Sequence, residues 1–174
     1  MIAFRHADAR WPFLWETADQ PAGRWHGASE GPAHYFCDTP DGAWAEFLRH
    51  EEITEAGDIQ TVQRALWAVD LPDEPAAMPR LPKPLLTGGL DSYPGCQDAA
   101  RGWRSRGVSR LIAPSAALQA GAAHGWRVRH GRLEAGPRRE GKVIVLFGLR
   151  PWLQGWLAAI GRPSPEILNK IKYL

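Results

Sequence analysis

No uninterrupted apolar run in this sequence exceeds five residues, and one of that length, Val143 to Phe147, lies inside the stretch KVIVLFGL. A membrane-spanning helix needs roughly 20 such residues, so this run is far too short to be one. Its β-branched and aromatic side chains make it the most strongly β-prone segment of the chain, which predicts a strand over 142–149. Shorter strand-like segments lie at 2–4, 33–36, 65–71 (ALWAVDL) and 108–112. Residues 126–128 with Leu133 read as a hairpin turning at His130-Gly131.

Between these segments the periodicity becomes helical. Asp38-Thr39-Pro40 joins a capping side chain to a proline suited to the first helical turn. Ala43, Trp44, Phe47 and Leu48 then recur as one stripe, which predicts a helix over 40–54. A second helix is expected over 93–106, with Cys96, Ala99, Ala100 and Trp103 as its apolar face and Gly107 as its stop. Two closing helices are expected over 151–160 and 164–171, with Trp152 and Trp156, four residues apart, in the core; an exposed patch that docks an antitoxin or a second copy is the alternative. The order is neither a βαβ alternation nor an unbroken β series. It predicts a mixed α+β fold, and 174 residues suffice for one domain, 1–174.

Charge and cysteine content exclude several functions. Twenty-one basic against 19 acidic side chains leave a net +2, too weak a field to gather nucleic acid or an anionic membrane, and no direct nucleic-acid binding is expected. Arg101, Arg104, Arg106 and Arg110 read as the solvated face of the second helix. Cys37 and Cys96 are too few for a disulfide framework and read as small buried residues. The first ten residues carry Arg5, His6, Asp8 and Arg10, unlike a secretory leader, so a cytoplasmic location is expected.

Neither GxGxxG nor GxxxxGK[ST] occurs, and Gly88-Gly89 alone carries little weight. The six histidines show no zinc spacing, so no metal is expected, and Ser115 stands outside any GxSxG elbow. What remains is the stretch GRWHGASEGPAHYFCDTPDGAWAE from Gly23 to Glu46, together with IAPSAAL from Ile112 to Leu118. It places Gly23-Arg24-Trp25 in a glycine- and proline-rich loop, Tyr35 on a strand, Glu46 beside the buried stripe of a helix, and Pro114-Ser115-Ala116 after a strand. Taken singly, these are commonplace: a loop ion pair, a sheet residue, a helix-surface charge with Arg49 or His50 in reach, and a cap.

Together they resemble the RES-domain family, named for arginine, glutamate and serine. Eleven residues separate Arg24 from Tyr35 and eleven separate Tyr35 from Glu46, and the resemblance extends over roughly residues 1–150. Ala22, His26 and Ala117 depart from residues common at those places, and the closing segment after Pro151 lies beyond the motif.

The resemblance implies a bent, split, mixed β-sheet like that of ADP-ribosyltransferases, flanked by helices, with NAD⁺ as substrate rather than as a prosthetic group. It implies a catalytic set of Glu46, Arg24, Tyr35 and Ser115, and NAD⁺ contacts from Arg24, Tyr35, Trp25 and Ser115. A fixed carboxylate stabilises the positive charge that develops when the bond between nicotinamide and ribose breaks, the role expected of Glu46. A guanidinium fork matches pyrophosphate oxygens, the role expected of Arg24. Tyr35 is expected to stack on nicotinamide, and Ser115 to donate to ribose or phosphate oxygens.

The implied protein is an NAD⁺ glycohydrolase or phosphorylase, a toxin held in check by an Xre-like antitoxin, and the family allows more than one copy of the chain in that complex. Water, inorganic phosphate or a protein side chain can each accept the ADP-ribosyl group, so protein ADP-ribosylation is the near alternative. A binding module without chemistry is the distant one, and it predicts that Glu46→Gln leaves function intact.

Overall fold

The computed structural model describes residues 1–173. Six strands form one sheet: β1 (Ile2–Asp8), β2 (Ala33–Cys37), β3 (Arg64–Asp70), β4 (Arg110–Pro114), β7 (Lys142–Phe147) and β8 (Gln154–Gly161). Their order is β4-β7-β2-β1-β3-β8, and a separate hairpin of β5 (Trp126–Arg129) and β6 (Arg132–Ala135) stands apart. The α+β class is therefore as expected, with the strands divided between two sheets. Every pair of named strands is antiparallel, and parallel contacts are confined to isolated bridges at Ala77–Leu111 and Ala122–Arg139.

The continuous apolar character of β7 has a direct cause in this arrangement. Alternate side chains of a strand point to opposite faces. Val143, Val145 and Phe147 enter the main core beneath the helices, whereas Ile144 and Leu146 join Phe36, Val69 and Leu71 on the other face. The N-terminal segment covers that second face with Phe13 and Leu14. Both faces of the sheet are thus buried here, and a period-2 alternation would have left one face polar.

Helix α1 (Pro40–His50) begins as the sequence predicts: Thr39 is the N-cap and its hydroxyl accepts from the Gly42 amide at 3.0 Å. Its buried stripe contains Ala43, Trp44, Phe47 and Leu48, and lies against β1 and β2. The helix stops four residues short of the expected end, because Glu52 adopts φ 55°, in the left-handed region that no α-helix continues through. A single turn, α2 (Ala56–Ile59), follows. Next come α3 (Lys83–Thr87) and α4 (Tyr93–Arg104), joined by a 3₁₀ turn at Leu90–Ser92, and Gly107 at φ 80° ends the last helix as expected. The β5–β6 turn is also as expected, with His130 and Gly131 both at positive φ.

Three sequence expectations are corrected. Residues 151–160 do not form a helix: 154–161 are strand β8, paired along its length with β3. The helical spacing of Trp152 and Trp156 is overridden by a long tertiary ladder, and Gly155 has no Cβ because the Phe13 ring occupies that space. Trp152 and Trp156 are accordingly not core residues, being 90 % and 54 % exposed. Residues 165–170 form a 3₁₀ helix capped by Ser164 rather than an α-helix, and Ile167 and Ile171 tuck into the main core. Arg110 leaves the expected solvated row: it lies buried on β4 and donates to the Pro72 carbonyl at 2.8 Å.

Replacing Thr39 by alanine removes the acceptor for the Gly42 amide and is expected to lower the unfolding free energy by about 1 kcal/mol in urea titration, with the m-value unchanged.

Candidate active site

The Gly23–His26 corner is shaped by Tyr35. The Tyr35 hydroxyl accepts from the Trp25 amide at 3.0 Å and bonds His26 Nδ1 at 2.8 Å. A Cβ at Gly23 would come within 2.7 Å of the same hydroxyl, so only glycine allows this approach. Gln97 of α4 donates to the Gly23 and His26 carbonyls, pinning the loop from the other side. Burial pushes the Tyr35 phenol well above its ordinary range, and it stays protonated.

This geometry separates two neighbours. The Trp25 indole is 1 % exposed and packs in the main core 6.1 Å from the Trp103 ring, so it anchors the loop beside the cleft that the residue helps to line. Arg24 points the other way: it donates to the Leu85 carbonyl at 3.0 Å, the Gly88 carbonyl at 2.6 Å and the Ser92 hydroxyl at 2.7 Å, and lies 4.8 Å over the Tyr93 ring. The 85–93 segment is thereby folded against the loop as one rim. A Cβ at Gly88 would collide with the Pro84 carbonyl, which explains the glycine there.

Glu46 projects from α1 toward the end of β4. Its Oε1 accepts from Ser115 Oγ at 2.8 Å, and that Oγ in turn accepts from the Ala117 and Leu118 amides, both at 3.2 Å. Among the described residues Glu46 forms no ion pair. Arg49, one turn further along α1, donates instead to the Gly88 and Ala116 carbonyls. The i, i+3 spacing that suggested an ion pair within the helix delivers two separate groups to the same opening.

These groups border a cleft of about 600 Å³, within the roughly 300–1,000 Å³ usual for small-molecule sites. Phe4, Ala33, Tyr35 and Val143 line its apolar floor; Arg24, Glu46, Arg49 and Tyr93 supply the polar rim. Arg24, Tyr35 and Glu46 are brought together as the sequence suggested. Ser115 is not among the lining residues: it is 8 % exposed and stands behind Glu46. Tyr35 presents its ring, but its hydroxyl is committed to the loop. Arg49 and Tyr93 were missed as site residues, since nothing local in the sequence separates them from surface helix positions. Among the described residues no three His, Cys, Asp or Glu side chains gather as a metal site would require.

Two histidines near these strands are held neutral. Burial, then Arg64 and Arg5, pushes His6 down to about 3, and its Nδ1 lies 3.1 Å from Arg64 Nη2. Burial likewise lowers His34 to about 4. Arg5 adds to this shift.

The sequence pattern of the RES domain matches residues 2–140. The chain belongs to the RES domain family. No curated protein matches the sequence. Among solved structures, the fold is similar to that of a chain in the crystal structure of the M. tuberculosis MbcT–MbcA toxin–antitoxin complex. The TM-score is 0.60 at 18 % identity, over 97 % of this chain and 86 % of that one. Arg24, Glu46 and Ser115 all lie within the matched residues, as a rim residue, a cleft carboxylate and that carboxylate's buried support. No helix among the described residues is long and apolar enough to cross a membrane.

Two outcomes follow. Ser115→Ala leaves two buried amides without an acceptor and Glu46 without a donor, and is expected to cost about 1–3 kcal/mol in urea or thermal unfolding. Because the folded-state values of His6 and His34 lie below the unfolded value of about 6.5, the unfolded chain takes up protons first on acidification. Their contribution to stability is complete above pH 6.5 and is lost as pH falls toward about 4 for His34 and about 3 for His6, at up to about 1.4 kcal/mol per pH unit for each. Urea titration across that window is expected to show a shallower slope for His6→Gln than for the wild type.

Proposed function

We propose that this RES-domain chain is the toxin of a toxin–antitoxin pair and that it consumes NAD⁺ by cleaving the bond between nicotinamide and ribose. The observation that carries the reading is a carboxylate, Glu46, aimed into a cleft, free of any ion pair among the described residues and oriented by a buried serine. A structural carboxylate would be expected to neutralise a neighbouring arginine. Arg49 is one turn away and bonds carbonyl groups instead.

In the proposed reaction the electron pair of the C–N bond leaves with nicotinamide, and positive charge develops on the ribose. Glu46 stabilises that charge and accepts from a ribose hydroxyl, while the acceptor's oxygen forms the new bond to the sugar. Arg24 directs three of its five N–H donors to the 85–92 segment and retains two; Arg49 directs two and retains three. The two guanidinium groups meet at the Gly88 carbonyl, where their remaining donors suit a pyrophosphate. The Tyr35 ring offers the apolar floor a face for nicotinamide. The resemblance of the fold to a chain of a toxin–antitoxin complex supports an antitoxin as partner, of Xre-like type in this reading.

The test is NAD⁺ loss followed by mass spectrometry of the products, for purified wild type and Glu46→Gln, with and without inorganic phosphate. Wild type is expected to consume NAD⁺, with the variant slower by about 10²-fold or more. Phosphate dependence would identify phosphate as the acceptor, whereas ADP-ribose on a protein would identify a transferase. No loss by folded, antitoxin-free wild type would refute the reading.

A further inference from the structure

The two edges of the six-stranded sheet are treated differently. At the β4 edge the chain returns to cover its own strand: the Ala77 amide donates to the Arg110 carbonyl, and the Ile112 amide to the Ala77 carbonyl, both at 2.9 Å. At the β8 edge, among the described residues, no such backbone bond is made on the side away from β3. Exposed edges of this kind are ordinarily blunted by charge or proline. Gln154–Gly161, QGWLAAIG, contains neither, and its one irregularity is the unpaired Ala158 where the β3 register shifts.

The side chains of β8 are exposed and apolar on both faces. Trp156 stands opposite Ala68, on the face that carries Phe4 in the neighbouring β1 register. Leu157 stands opposite Trp67, on the other face. Trp156, Leu157 and Ile160 are 54 %, 47 % and 67 % exposed, and Trp152 just before the strand is 90 % exposed. Four such side chains present on the order of 400–500 Å² of apolar surface, a good half of the roughly 800 Å² per partner that a standard interface buries.

We infer that β8 is a dimerisation edge, paired antiparallel with β8 of a second copy of this chain to make one continuous twelve-stranded sheet. Two features select a second copy as the occupant. Eight consecutive residues without charge meet their own image without repulsion, whereas a different partner would leave the edge no charge pattern to recognise. A two-fold pairing uses the same edge on both copies and therefore closes, leaving no strand open for further growth. The dimer leaves the cleft accessible, because that cleft is built on β1 and β2, inside the sheet.

The experiment is sedimentation equilibrium of the purified chain over a range of micromolar concentrations, alone and with antitoxin, together with hydrogen exchange of the β8 amides. Wild type alone is expected at twice the 19.3 kDa monomer mass, with β8 amides protected more strongly as concentration rises. Leu157→Lys and Ile160→Lys are each expected to give monomers that keep the near-ultraviolet circular dichroism and urea midpoint of the wild type. A wild type that stays monomeric with fast-exchanging β8 amides would overturn the inference, as would a dimer that both variants leave intact. Protection of β8 only when antitoxin is present would overturn it in favour of a strand or surface of that protein. Because no substrate is involved, this result stands or falls separately from NAD⁺ consumption.

Discussion

The hydrogen bond from Ser115 Oγ to Glu46 Oε1 joins two parts of the chain 69 residues apart, and the cleft takes its form around it. A carboxylate at the mouth of an apolar pocket loses hydration and needs either a counter-ion or a donor. A counter-ion would neutralise it for chemistry. A hydroxyl orients it and leaves its charge. Ser115 can serve because the Ala117 and Leu118 amides donate to its oxygen and direct its proton outward. Those amides lie at the end of β4, held at its place by β7, whose unbroken apolar run is needed because both faces of the sheet are covered there.

The opposite wall follows a similar logic with different groups. Tyr35 would be an ordinary strand residue if its hydroxyl met water. Here the hydroxyl is the anchor on which the Gly23–His26 corner turns, and Trp25 locks that corner by filling the core. Arg24 then ties the corner to the 85–93 segment, and Arg49 reaches the same Gly88 carbonyl from α1. Backbone carbonyls and the Ser92 hydroxyl, not acidic side chains, hold the two guanidinium groups, so neither arginine is paired with a carboxylate among the described residues.

Much of this was legible locally. Thr39-Pro40 marked the start of α1, His130-Gly131 the hairpin turn, Gly107 the end of α4, and KVIVLFGL a strand. Arg24, Tyr35 and Glu46 could be picked out because their order and spacing resemble a known pattern, although each residue alone looks ordinary. The C-terminal segment was misread for a physical reason. Tryptophans four apart match a helix, and only the availability of β3 as a partner makes the same residues a strand. Arg110 was misread similarly, since its burial depends on a carbonyl at Pro72, far away in sequence.

The sequence by itself determined the α+β class, the starts of α1, α4 and β7 and the identity of three of the residues that border the cleft, because caps, turns and periodicity act over a few residues. The tertiary structure alone decided how those residues divide the work. Ser115 stands behind Glu46 rather than lining the cleft, Trp25 packs its indole into the core while bordering the cleft, and Arg49 and Tyr93 complete the rim. It also decided that one sheet edge is covered by the chain and the other is not. These outcomes depend on which carbonyl or strand lies within hydrogen-bond distance of residues far away in the chain, 39 positions for Arg49 and Gly88 and 69 for Glu46 and Ser115, and no local pattern encodes that distance.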